Sequence, residues 1–251
     1  MTPSETLHVL ADVHANFEAL NVVLDDLPDD DESQIICLGD IVGYGPDPDR
    51  CLEALTDRDA LLLAGNHDAA ACGEMSTKYF NRLASQAAKW TQDQLSENQL
   101  ATLAGLPERQ RKNGLGFYHG SPRQPLTEYI TSEPLAADIL DDVEESKVFV
   151  GHTHKPVYFE KDRATTRAHS IKGDKELDRV NPDTPMILNP GSVGQPRDGD
   201  PRASYMTVTF NNDYTLNFRW KRLKYPIEPV QSKIREAGLP ETLATRLSRG
   251  Q

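Results

Sequence analysis

Cysteine is scarce in this chain: there are three among 251 residues, Cys37, Cys51 and Cys72. An odd number cannot all pair, and their spacing matches no metal knuckle. That argues against a disulfide-built secreted scaffold and for reduced thiols in a cytoplasmic setting. Long hydrophobic runs are missing as well. No stretch approaches the roughly eighteen apolar residues of a membrane helix. The opening "MTPSETLHVLADVH" has no basic segment leading into an apolar one, so no signal peptide is expected. Basic residues are the third shortage: 27 Lys and Arg face 39 Asp and Glu, for a formal net charge of −12. Proteins hold nucleic acid by displacing its counterions with a basic surface, so this balance counts against such a partner. The densest acidic run, "LDDLPDDDES" at 24–33, reads as a solvated turn rather than a cation site.

What remains is a globular composition, 37% hydrophobic and 26% charged, with enough length to bury a sizeable core. The order of elements is α/β. "TLHVLADVHANFEALNVVLDDL" reads as a strand, a turn and a helix with Phe17, Leu20, Val23, Leu24 and Leu27 at helical spacing and Asn16 as N-cap. "SQIICLGDIVGYGPDPDRCLEAL" repeats the plan, and "DALLLAGNHDAA" is a third strand ending in a polar turn. A helical stretch at 78–106 breaks near Ser96 and stops at Pro107. "GLGFYHGSP", "KVFVGHTHKP" and "MILNPGSVGQP" are further strands running into loops, and 203–225 alternates as a hairpin around Asn211, Asn212 and Asp213. The charged, aperiodic segment 161–185 reads as an exposed loop, and 240–251 as a loosely held helical tail. With no repeat and no linker, one domain spanning 1–251 is expected.

Five apolar strands each end in a short polar signature: "ADVH", "LGD", "AGNHD", "YHG" and "GHTH". Strand ends are where ligands usually bind in open α/β sheets. Five of the seven histidines lie there, His14, His67, His119, His152 and His154, together with Asp12, Asp40, Asn66 and Asp68. In extended backbone, residues i and i+2 face the same way, so His152 and His154 are expected to project together from a strand end. Any one signature alone has an ordinary reading: a turn, a helix cap, a hydrogen-bonded core histidine. Together they supply imidazole, carboxylate and amide ligands that suit Mn, Fe, Zn, Co or Ni better than Ca or Mg. They also exceed the needs of one ion, so two divalent metals are expected. His8 and His169 match no signature.

In their order, D-x-H, GD, GNHD, H and GHTH, followed by "NPGSVGQPR" at 189–197, resemble the motifs of the calcineurin-like metallophosphoesterase superfamily, in its small bacterial and archaeal phosphodiesterase-like branch. The resemblance implies a four-layer α/β/β/α sandwich with the metals at the strand ends. Carried onto this chain, it gives Asp12, His14 and His154 to one metal, Asn66, His119 and His152 to the other, and Asp40 to both. A shared carboxylate holds two cations about 3.5–4 Å apart, where both can clamp one phosphoryl group and a bridging hydroxide attacks in line. His67 is left as general acid for the leaving group, with Asp68 either orienting it or capping a helix. The serine/threonine protein phosphatase branch carries an arginine after GD and a glutamate after GNH. Here "GDIVGYGPDPDR" lacks that arginine and Asp68 replaces the glutamate, so a small phosphodiester, nucleotide-like esters included, is favoured over a monoester. Arg197, Arg202 and Arg123 offer phosphate-binding guanidiniums, and Tyr44 a ring for stacking. A partner-binding scaffold of the retromer-subunit type, or a nuclease, fits less well. The first would have damaged ligands, and the second would want a basic platform.

Overall fold

Two six-stranded sheets face one another in the computed structural model, which describes residues 5–28, 30 and 33–251. The first four residues and part of the acidic run lie outside that description, so the readings made on them are not addressed by it. In the first sheet, β1 (Thr6–Leu10), β2 (Ser33–Cys37) and β3 (Leu61–Leu62) run parallel. In the second, β4 (Arg109–Lys112) pairs antiparallel with β5 (Leu115–Tyr118), and β5, β6 (Lys147–Phe149) and β10 (Met186–Asn189) run parallel. A long hairpin, β11 (Ala203–Phe210) and β12 (Leu216–Leu223), completes the first sheet beside β1.

The period-two alternation of strands sorts side chains into layers. In β1, Leu7 and Val9 face the space between the sheets and Leu10 faces out; in β6, Phe149 faces in and Val148 out. Trp220 and Phe218, fully buried, fill the same inter-sheet layer. The outer face of the first sheet is covered by α1 (Phe17–Asp26), α2 (Pro48–Thr56), α4 (Arg82–Gln94), α5 (Glu97–Ala104) and α7 (Ile227–Glu236). That of the second is covered by α6 (Glu133–Asp142). The result is the expected helix–sheet–sheet–helix sandwich. Local signals act as read: the Asn16 side chain accepts from the Ala19 amide at 3.1 Å, and Ser96 caps α5 after the break that ends α4.

Two expectations are corrected. Segment 161–185 is not a loop. It carries the end of β7 (Val157–Asp162), which pairs with β10, and the strands β8 (Thr165–Ser170) and β9 (Lys175–Val180), one at an edge of each sheet. Its far end is pinned by the buried ammonium of Lys147, which donates to the carbonyls of Asn181, Pro182 and Thr184. Edge strands carry charge on their open side, which hides the alternation. Nor is 240–251 loosely held. α8 (Glu241–Thr245) and the short turn Leu247–Arg249 bury Leu243, Ala244 and Leu247 in the helical layer. The three cysteines are free thiols, as expected. Among the described residues no helix is long and apolar enough to cross a membrane.

Candidate metal centre

The loops that follow the parallel strands are bound to one another by main-chain hydrogen bonds. Asp12 donates to Gly39 at 3.1 Å, His14 to Asp40 at 2.9 Å, Gly151 to His119 at 2.8 Å and Gly194 to Asp12 at 3.0 Å. The loops turn sharply. Asp12 (φ 54°), His14 (φ 49°), Asp40 (φ 53°), His152 (φ 64°) and His154 (φ 57°) all occupy the left-handed region, which Asp, Asn and His enter more readily than other side chains. The extended-strand account of His152 and His154 is therefore corrected: β6 ends at Phe149, and each histidine sits in its own left-handed turn. Their convergence comes from the loop. Close approach also fixes Gly65, where an added Cβ would lie 2.2 Å from Asp40 Oδ1.

The ring hydrogen bonds assign the tautomers. His14 Nδ1 faces Val42 O (3.2 Å), His154 Nδ1 faces Gln195 O (2.6 Å), His119 Nδ1 faces Leu38 O (3.0 Å) and His152 Nε2 faces Thr127 O (3.3 Å). A carbonyl can only accept, so each of these nitrogens carries the proton and the other carries a lone pair. Those lone pairs point at each other: His14 Nε2 to His154 Nε2 at 3.2 Å, and His119 Nε2 to His152 Nδ1 at 2.9 Å, with Asn66 Oδ1 3.1 Å from His119 Nε2. Facing lone pairs repel unless a cation lies among them. Asp40 Oδ2 stands between the pairs, 3.5 Å from His14 Nε2 and 3.4 Å from His119 Nε2, and Asp12 Oδ1 is 3.4 Å from His154 Nε2. Two buried clusters result, Asp12–His14–Asp40–His154 and Asp40–His119–His152, each with donor atoms within 4.8 Å of one another. The donor set fits a dimetal site.

The other expected residues gather around it. The His67 ring packs on Tyr44 at 4.4 Å, His14 at 5.0 Å and Phe80 at 5.0 Å between centroids. Asp68 is not the helix N-cap, which is Gly65; it is the third helical residue, and its oxygens accept from the Val42 and Gly65 amides at 3.0 and 2.9 Å. Arg123 pairs with Glu128 and Arg202 with Asp200, so both are engaged away from the clusters. Arg197 does reach the site, with its guanidinium 5.8 Å from the Tyr44 ring centroid. Three participants carried no sequence signal: Tyr129, stacked on His152 at 3.7 Å; Phe80; and Arg246, from the terminal helical segment, 5.5 Å from the Tyr44 ring. A cavity of about 470 Å³ opens beside Asn66, His67 and His152 and is lined by Tyr44, Tyr79, Phe80 and Tyr129.

Burial dominates the electrostatics. It pushes His14, His67, His152 and His154 well below their ordinary 6.5 and His119 to about 3. It raises Asp12 well above its ordinary 3.8, with repulsion from Asp40 adding, and takes Asp40 and Asp68 to about 7. In the metal-free protein these shifts oppose each other. Below pH 6.5 the unfolded chain protonates five imidazoles that the fold keeps neutral, so stability rises with pH up to that point. Between 3.8 and about 7 the fold keeps protons on three carboxyls that the unfolded chain has released, so this contribution falls with pH. The imidazoles outnumber the carboxyls. Urea midpoints of metal-free protein should therefore climb from pH 5 to 6.5 and level or dip toward 7; a maximum at pH 5 would reverse the balance.

The sequence matches the calcineurin-like phosphoesterase superfamily domain over residues 6–213. It is 37% identical over 250 residues to an uncharacterized protein of Methanocaldococcus jannaschii, with 97% of each chain covered. The crystal structure of a metallophosphoesterase from Sphaerobacter thermophilus superposes with a TM-score of 0.86 at 40% identity, covering 99% of this chain and 100% of that one. A hypothetical protein from Pyrococcus horikoshii, at 20% identity and a TM-score of 0.77 over 98% of each chain, shares the fold.

Proposed function

The chain belongs to the calcineurin-like phosphoesterase superfamily, and on that premise we propose that it hydrolyses a small phosphate ester, a diester by preference, at a pair of divalent transition-metal ions. The observation that carries the reading is Asp40 Oδ2, poised between two histidine pairs whose lone pairs face each other. Asp12, His14 and His154 would hold one ion, Asn66, His119 and His152 the other, and Asp40 would serve both. When bound, such a pair lowers the pKa of water and takes up charge on the phosphoryl group. The main-chain carbonyls of Val42, Leu38, Thr127 and Gln195 fix each ring's tautomer and direction, as the outer partners of metal-binding histidines do. His67, beside Asn66 and at the cavity wall, is neutral in the free protein; the negative charge of a bound ester raises its pKa, and in that complex it donates the proton that the departing oxygen needs. Asp68 braces the Ile41–Val42 turn against α3 (Asn66–Ala71).

The aromatic cavity receives the organic part of the ester. Four rings suit an aromatic or nucleotide-like group, which they hold by stacking. The diester preference rests on the loop after Asp40, which lacks an arginine to neutralise a monoester's second charge. The metal itself, Mn, Fe, Zn, Ni or Co, follows supply as much as ligand chemistry. The test is remetallation with Mn or Ni, metal analysis, and turnover of bis(p-nitrophenyl) phosphate against p-nitrophenyl phosphate. Two ions per chain and faster release from the diester are expected. A chain that takes up no ions, or turns over neither ester, overturns the reading.

A further inference from the structure

Arg197 and Arg246 arrive at one place from opposite ends of the C-terminal third. Arg197 follows β10 and is held by its own amide, which donates to His154 O at 3.2 Å. Arg246 follows α8. Both guanidiniums lie near the Tyr44 ring, their Cζ atoms 5.8 and 5.5 Å from its centroid. That ring in turn lies 4.8 Å from His14. The two cations are thus one aromatic ring removed from a residue of the metal centre.

Several other cations pair with side-chain carboxylates: Arg222 with Asp198, Arg202 with Asp200, Lys233 with Glu18 and Asp47. Arg197 and Arg246 are bonded otherwise. Arg197 Nη2 donates to Gln195 Oε1 at 2.9 Å and its Nε is buried with no partner, while Arg246 Nε donates to an oxygen of Gln251, the last residue of the sequence, at 2.6 Å. Two neighbouring guanidiniums repel each other, although Arg197 also feels the buried carboxyls of Asp12 and Asp40. Burial, with Arg197 as the next cause, pulls Arg246 down to about 10. An anion with several oxygens relieves that repulsion, and a planar guanidinium fork matches phosphate oxygens.

We propose that Arg197 and Arg246 form an anion subsite that holds a further phosphate charge of the substrate, beyond the single charge of a simple diester. This rests on the phosphoesterase reading but not on the diester preference. The charge has two possible sources, the second ionisation of a terminal phosphate or a neighbouring phosphate group, and the subsite tempers the preference inferred from the loop after Asp40.

The test compares metal-loaded wild type, Arg246→Gln and Arg246→Lys on bis(p-nitrophenyl) phosphate, p-nitrophenyl phosphate and ADP. Arg246→Gln should lose tenfold or more in kcat/KM, mainly through KM, on p-nitrophenyl phosphate if a terminal dianion is bound, or on ADP if a neighbouring phosphate is. The loss on the singly charged diester should be several-fold smaller, and Arg246→Lys should recover part of the difference. Equal losses on all three substrates, the two nitrophenyl esters and the ADP anhydride, or none, overturn the proposal. Independently of turnover, millimolar inorganic phosphate should raise the melting temperature of metal-free wild type and of Arg246→Lys more than that of Arg246→Gln. Equal shifts overturn the subsite even if all three proteins are active. Absence of turnover in wild type would instead count against the phosphoesterase reading, leaving the phosphate shift to judge the subsite.

Discussion

Replacing Asp40 with asparagine should abolish turnover, by a factor on the order of a thousand or more, while making the metal-free protein more stable. The loss follows from position. Asp40 Oδ2 is the donor common to both clusters, 3.5 Å from His14 Nε2 and 3.4 Å from His119 Nε2. An amide there removes the anionic donor that neutralises two cations at once, and a thousandfold loss corresponds to about 4 kcal/mol of barrier. The gain follows from burial. Burial holds Asp40 at about 7 instead of its ordinary 3.8, so at neutral pH part of its charge opposes folding. Asparagine removes that charge and can still accept from the His67 amide, now 2.8 Å from Asp40 Oδ1. Thermal melts with and without Mn separate the effects. Wild type should be stabilised by metal, by about 2.7 kcal/mol at a hundredfold excess over Kd, and Asp40→Asn should start higher and gain little. A variant that binds two ions and keeps its rate would remove Asp40 from the centre of the account.

His67→Ala should leave the metal content intact and cut the rate by about 10²–10⁴, the usual range for a lost general acid. Metal content survives because the imidazole is in neither cluster, and His67 serves Asp40 through its main-chain amide, which alanine retains. The ring is held in place by Tyr44, Phe80 and His14, and its Nδ1 is buried without a partner against Gly43, where an added Cβ would lie 2.6 Å away. The remaining nitrogen is the one free to serve a departing oxygen. The loss should therefore grow with the pKa of the leaving group, small for nitrophenol and large for an alkyl alcohol. A flat loss across a leaving-group series would leave His67 a packing residue.

The gathering of the centre was legible because its donors are few, chemically distinctive and each placed after an apolar strand. Asp12, His14, Asp40, Asn66, His119, His152 and His154 could be picked out without coordinates, and the structure brings them together. How they meet was not legible. The left-handed turns at His152 and His154 replace the extended geometry that i, i+2 spacing suggests, because nothing local marks φ at a His-x-His. β9 escapes notice because this edge strand is written in charges, KELDRV, and β8 because its polar run TTRAHS buries only Thr166. Asp68 reads equally as a partner of His67 or as a helix N-cap, and neither reading foresees its grip on the amides of Val42 and Gly65 from the third helical position. Arg246 lies some two hundred residues from Tyr44 in sequence, and only the docking of α8 and the turn after it brings the two within 5.5 Å. Long-range packing of this kind leaves no periodic trace.

Those left-handed turns have a consequence for how the protein can change. Positions 12, 14, 40, 152 and 154 ask for side chains that tolerate a positive φ, and the three that do so best, aspartate, asparagine and histidine, are themselves metal-binding groups of graded hardness. Exchanges among them keep the backbone and alter only the softness of the donor, whereas a β-branched residue would wreck loop and donor together. The scaffold thus permits metal selectivity to drift by single substitutions while the shape of the cage is inherited unchanged.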